Sequence, residues 1–144
     1  VEEVSLLAKM SGAKKVVTLP VSAPFHSPLM KPAEIKLQKE LKKTAFRDHQ
    51  FPVISNVDVK PITKASSLCE ALVRQVCLPV RWSETMHYLV EQGIDVFVEL
   101  GTGKVLSGLM RRFNKEVKCF QVGDPDSLKL TVEACKSLLK NGDN

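Results

Sequence analysis

The chain has 144 residues, 44% hydrophobic and 26% charged, a balance that fits one globular domain or part of a larger one. Its net charge of +5, from 21 basic and 16 acidic residues, is modest and spread out, and 6% aromatic content supplies no basic stripe interleaved with rings, so no nucleic acid partner is expected. No apolar run approaches the ~20 residues needed to cross a bilayer, and no membrane partner is expected.

In chain order, Glu2 to Met10 predicts the end of a helix with Val4, Leu7 and Ala8 on one side, stopped by Ser11-Gly12. The acidic start Val1-Glu2-Glu3-Val4 lacks the basic opening of a signal or transit peptide, and the missing initiating Met leads us to expect that the native N-terminus lies elsewhere. Ala13 to Val21 predicts a strand, with Val16, Val17, Leu19 and Val21 between Lys14-Lys15 and Pro24. After the turn at His26, Met30, Ala33, Leu37 and Leu41 recur at spacings of three, four and four, a core-facing helical stripe opposite Lys31, Glu34, Gln38 and Lys42. Val53 to Val57 predicts a short strand, and Pro61 to Ser66 a loop. Ser67-Leu68-Cys69-Glu70 reads as a capping box opening a helix that runs to about Leu78, where Pro79 prevents continuation. A helix from Ser83 to Gln92 ends at Gly93. Strand Ile94 to Leu100, the turn Gly101-Thr102-Gly103-Lys104, helix Val105 to Phe113, strand Val117 to Val122 and helix Ser127 to Leu139 follow, with a frayed tail from Asn141 to Asn144. Strands alternating with helices predict an α/β layered sheet, at least partly parallel.

His26 is the residue best placed for chemistry. Histidine titrates near neutral pH, and this one sits in a Pro-flanked turn between a predicted strand and a helix, where the carboxyl end of a strand would present it as an acid–base group. His49 reads as a loop residue and His87 as a half-buried structural one. Gln75 follows Leu68 by seven residues and Leu72 by three, so it lies on the apolar face of its helix. It is either a satisfied core glutamine or the helix end that offers an acceptor to a histidine's second ring nitrogen. The Gly101 to Lys104 turn lacks the spacing of a Walker A loop and reads as a tight turn. Cys69, Cys77, Cys119 and Cys135 form no C-x-x-C pair or metal-ligand spacing and are expected to be small buried residues in a reducing compartment, with no metal. No G-x-S-x-G occurs, so the chain carries a base without a nucleophile elbow, and Ser22 and Ser27 are too close to His26 to serve readily as its nucleophile.

Leu19 to Ala33 resembles the histidine segment of malonyl-CoA:acyl carrier protein transacylases. Pro52 to Asp58 is similar to the family's strand-and-Asn segment, and Ala71 to Trp82 to its L-V-x-Q-x-x-x-P-V-x-W signature. Phe97 to Leu106 resembles its E-x-G-x-G-K-V-L turn. Four segments in family order make the resemblance specific from about Gly12 to Phe113.

The resemblance implies the C-terminal part of an α/β-hydrolase-like acyltransferase domain. Residues 1–21 would be the last elements of a ferredoxin-like small subdomain and 22–144 part of the large one. It implies malonyl transfer from malonyl-CoA to the phosphopantetheine thiol of acyl carrier protein in fatty acid biosynthesis, by a Ser–His ping-pong route. His26 would be the base, Gln75 would hold its ring through the backbone carbonyl, and Phe25, in a malonyl-type A-F-H pattern, would limit substituents on the substrate. The Gly101 turn would lie near the site rim. No cofactor is implied beyond the coenzyme A thioester that is the substrate. The implied partners are malonyl-CoA, acyl carrier protein and an N-terminal segment carrying the serine. Without that segment the chain is expected to be inactive and poorly folded. The implied location is the bacterial cytoplasm, or an organelle in a eukaryote. The alternatives are a polyketide synthase acyltransferase domain, a non-catalytic α/β module binding an acidic carrier, and a cysteine hydrolase pairing Cys77 or Cys119 with His26.

Overall fold

The computed structural model describes residues 1–18 and 20–141. After helix α1 (Glu2–Met10) the described residues are irregular as far as a 3-10 turn (Pro28–Met30) and α2 (Lys31–Leu41). A short antiparallel pair, β1 (Val53–Ile54) and β2 (Pro61–Ile62), precedes α3 (Ala65–Gln75) and α4 (Trp82–Glu91). The chain then runs β3 (Val96–Leu100), α5 (Val105–Phe113), β4 (Lys118–Val122) and α6 (Pro125–Asn141). β3 and β4 pair in parallel, from Val96 opposite Lys118 to Leu100 opposite Val122, so β3–α5–β4 is the parallel unit expected of an α/β sheet.

Local chemistry sets the helix ends. At the end of α4, Gly93 takes φ 82°, its N–H donates to the Val90 carbonyl and that of Ile94 to the Leu89 carbonyl, a Schellman closure. α1 ends the same way at Gly12, with φ 90° and bonds from Gly12 to Lys9 and from Ala13 to Ala8. The start of α3 differs from the expected capping box. The helix begins at Ala65, three residues earlier, and the Ala65 N–H donates to the Asp48 carboxylate from a distant loop (3.0 Å). At α5 the Glu99 carboxylate accepts the N–H groups of Leu106 (3.0 Å) and Ser107 (2.8 Å) and the Ser107 hydroxyl. These bonds hold its carboxyl below the usual range, the Ser107 hydroxyl contributing most.

Two further expectations fail for one reason. The strand over Ala13–Val21 does not form: residues 13–18 and 20–21 are irregular, and Leu19 lies outside the described residues. The strand over Val53–Val57 shrinks to Val53–Ile54, and Pro61–Ile62, expected as loop, supplies its partner. A strand exists only where another backbone takes its hydrogen bonds. The expected frayed tail falls largely on residues 142–144, outside the description.

Burial is sparse. Among the described residues, Val57, Ile62, Ala71, Met86 and Met110 are the buried apolar ones, and Thr85, Ser107 and Thr131 the buried polar ones. The apolar side of α1 is present but buries nothing. Among the described residues β3 pairs only with β4, and its terminal Leu100 is 77% exposed. Parallel strands are ordinarily covered on both faces, so β3 presents an unmet edge and an unmet surface. No described helix is long and apolar enough to cross a membrane.

Candidate active site

His26 lies in the turn Pro24–Ser27, directly before the 3-10 turn, rather than at the end of a strand. Its backbone takes φ 59°, the left-handed region, which costs a non-glycine residue about 1–2 kcal/mol and is one histidine tolerates better than most. Local bonds shape the turn. Phe25 N–H donates to the Ala23 carbonyl (2.9 Å), and the Ser27 hydroxyl donates to the Pro24 carbonyl (2.7 Å). That bond commits the Ser27 hydroxyl to the turn, away from any role as nucleophile.

The end of α3 grips the histidine twice. The His26 N–H donates to the Val76 carbonyl at 3.2 Å, and ring Nδ1 lies 2.9 Å from the Gln75 carbonyl. These are free acceptors, because the last carbonyls of a helix have no partner within it. A carbonyl oxygen can only accept, so the contact places the proton on Nδ1 and leaves the Nε2 lone pair open. At an exposed ring such a bond contributes about 1 kcal/mol, enough to favour one tautomer roughly fivefold. The Gln75 side-chain nitrogen also approaches Nδ1, at 3.4 Å. Two donors cannot bond each other, so the backbone carbonyl is the orienting group and the side chain is a neighbour.

Phe25 precedes the histidine and is 56% exposed. The Gly101 to Lys104 turn has its own bonds, the Gln121 amide donating to the Gly101 carbonyl (2.7 Å), and no hydrogen bond among the described residues joins it to His26. His49 lies in a loop and keeps a buried Nε2 without a partner among the described residues. His87 is exposed rather than half-buried, and its ring meets Phe113 edge-on at 4.6 Å.

The cysteines are free and half-buried. Cys77 follows Gln75 by two residues, yet the Glu34 carboxylate beside it, then burial, push its thiol up. Burial pushes up the Cys119 thiol, an effect the nearby Arg111 only partly offsets. Thiols raised in this way hold little thiolate at neutral pH, which counts against the cysteine hydrolase alternative. No group of three potential metal ligands occurs among the described residues.

Sequence reasoning missed the Val76 carbonyl, since any residue there supplies one. It also missed the ion pair between Asp58 and Arg74, which joins residues far apart in the chain.

No family model matches the chain. It is similar to the malonyl CoA-acyl carrier protein transacylase of Bacillus subtilis (strain 168), 43% identical over 136 residues that cover 94% of this chain and 43% of that protein. The protein of the same name from Escherichia coli (strain K12) is 40% identical over 133 residues, covering 92% and 43%. The solved structure of the Clostridium perfringens transacylase matches with a TM-score of 0.86 and 34% identity, over 99% of this chain and 45% of that one. A malonyl-transacylase solved in complex with a type II PKS acyl-carrier protein matches with a TM-score of 0.85 and 42% identity, over 92% and 43%. The chain therefore spans less than half the length of these relatives and matches their C-terminal half. In sequence and in α/β fold, the chain matches the C-terminal half of malonyl CoA-acyl carrier protein transacylases.

Proposed function

We propose that this chain is the histidine-bearing half of an acyltransferase that moves a malonyl group from malonyl-CoA to the phosphopantetheine thiol of acyl carrier protein. The observation that carries the reading is the 2.9 Å contact between His26 Nδ1 and the Gln75 carbonyl, which leaves Nε2 as a base. A serine hydroxyl, absent from any G-x-S-x-G in this chain, would come from the N-terminal part of the same enzyme. Nε2 takes the hydroxyl proton as the serine oxygen bonds to the thioester carbonyl carbon. The carbon–sulfur bond then breaks, and the coenzyme A sulfur leaves with that proton. In the second half-reaction the carrier thiol gives its proton to Nε2 and attacks the acyl-serine, whose ester bond breaks and whose oxygen recovers the proton.

Phe25, beside the base and exposed, would face the substrate's α-carbon and disfavour branched acyl groups. Residues 1–21 would end a small ferredoxin-like subdomain and residues 22–144 continue the large one. The sparse core and the open edge of β3 support the need for the N-terminal part as a partner, because they leave apolar surface that a complementary half would cover. The relative solved with a type II PKS carrier keeps a polyketide carrier as the second candidate acceptor.

The test mixes this chain with the polypeptide encoded immediately upstream and measures malonyl transfer to holo acyl carrier protein. Transfer is expected from the mixture and not from either piece alone. His26→Ala should lower it by at least about a thousandfold, the scale seen when a base is removed from an acyl-transfer constellation. Undiminished transfer by the His26→Ala mixture would refute the assignment, and turnover by the pure chain would refute the need for a second half.

A further inference from the structure

Arg74 and Arg81 bracket the segment that grips His26. Between them lie Gln75 and Val76, whose carbonyls take the ring Nδ1 and the backbone N–H of the histidine. Both arginines reach back to one loop, Ser55–Val59. The Arg74 guanidinium pairs with the Asp58 carboxylate. Arg81 donates from its side chain to the Val57 carbonyl (3.2 Å) and from its backbone to the Asn56 carbonyl (3.0 Å). The loop closes on itself: the Asp58 N–H donates to the Ser55 hydroxyl and the Val59 N–H to the Ser55 carbonyl, each at 3.1 Å. Val59 holds φ 54°, an uncommon backbone state for a β-branched residue that persists where surrounding bonds over-determine it.

Helix ends fray unless anchored. Arg74 immediately precedes Gln75, so what fixes its side chain also limits the movement of the Gln75 carbonyl. The Asp58–Arg74 pair is only partly exposed, with side chains 32% and 42% accessible. Resting on the assignment of His26 as the base, we infer that Asp58 and Arg74 are positioning residues. Their ion pair fixes the end of α3 so that the Gln75 carbonyl holds the proton on His26 Nδ1 and leaves Nε2 free.

The test uses the chain labelled with 15N-histidine and 15N-glycine, mixed with the upstream polypeptide, and reads ring-nitrogen shifts together with amide exchange. In the unsubstituted chain His26 is expected as the Nδ1–H tautomer. Asp58→Asn and Arg74→Gln should each move it toward the Nε2–H form and speed exchange of the His26 amide about fivefold. Exchange of the Gly101 amide, bonded to the Val122 carbonyl at 2.9 Å on the parallel pair, should not change. Arg74→Lys, which keeps a cation for Asp58, should recover most of the Nδ1–H population. An unchanged tautomer in both Asp58→Asn and Arg74→Gln overturns the inference. Equal loss of protection at His26 and Gly101 also overturns it, since the pair would then support general stability alone. Neither readout requires turnover. A failed transfer assay with His26 still held as Nδ1–H would count against the proposed activity and leave the positioning intact.

Discussion

At His26 the left-handed backbone and the grip on the ring oppose each other. The conformation costs about 1–2 kcal/mol, and the two bonds to the end of α3 return about 1 kcal/mol each, so the turn is close to balanced and depends on α3 remaining in place. Cys77, two residues along, shows how one neighbour can silence a reactive group. Its thiol is raised chiefly by Glu34, and Glu34 is held below the usual range chiefly by the thiol and then by Lys31, whose ammonium lies 2.6 Å away. Glu34→Gln should therefore speed alkylation of Cys77 near neutral pH, as timed thiol labelling with mass detection would show. In the mixed assay Cys77→Ser should leave malonyl transfer within about twofold, since serine keeps a side chain of similar size and removes only a thiol that holds little thiolate near neutral pH.

Among the elements, α4 and α1 stop because glycine can take a backbone state other residues resist. A Cβ added at Gly93 would meet nothing within 4 Å, so Gly93→Ala isolates backbone strain from any clash. It should cost about 1 kcal/mol, visible as a lower urea midpoint with an unchanged slope. The start of α5 rests on charge rather than on a neighbouring cap. Glu99 projects from β3 and satisfies two of the N–H groups that a helix leaves unpaired at its start, so strand, turn and helix are tied through one carboxylate. α3 depends on Asp48 in the same way, from further along the chain.

Across the whole molecule, Glu34, Asp48, Glu84, Glu99 and Asp124 are all held below the usual carboxylate range, by bonds to Cys77, Lys64, Arg81, Ser107 and Ser127 respectively. A carboxyl lowered by folding adds stability above its unfolded value and loses it as the pH falls through the folded one. Lys31, Lys64 and Arg81 are raised by their acidic partners, so their contribution is complete at neutral pH and fades only in strong alkali. Stability should thus be flat through neutrality and fall on the acid side. Glu99→Gln should make that acid limb shallower in a pH series of thermal melts. A slope unchanged by the substitution would mean that the Glu99 bonds do not contribute. The open edge of β3 and the exposed Leu100 belong to this scale as well, since apolar surface of that kind is covered in parallel sheets.

By itself the sequence determined what local spacing controls: the helices with their apolar periodicity, the glycine stops at Gly12 and Gly93, the β3–α5–β4 unit, and the four ordered segments that mark the family. It also offered His26 as a candidate base and Gln75 as a candidate source of the acceptor for its ring, roles that belong to the proposed function. Tertiary structure decided the rest. Residues 13–18 and 20–21 have strand composition but pair with no other backbone among the described residues, so they stay irregular, while Pro61–Ile62 becomes a strand because β1 lies beside it. The cap on α3 comes from Asp48, and the second hold on His26 comes from the Val76 carbonyl, whose residue type carries no signal. Hydrogen bonds between distant parts of the chain depend on where the backbone goes, and only the folded arrangement brings Asp58 to Arg74 and the end of α3 to His26.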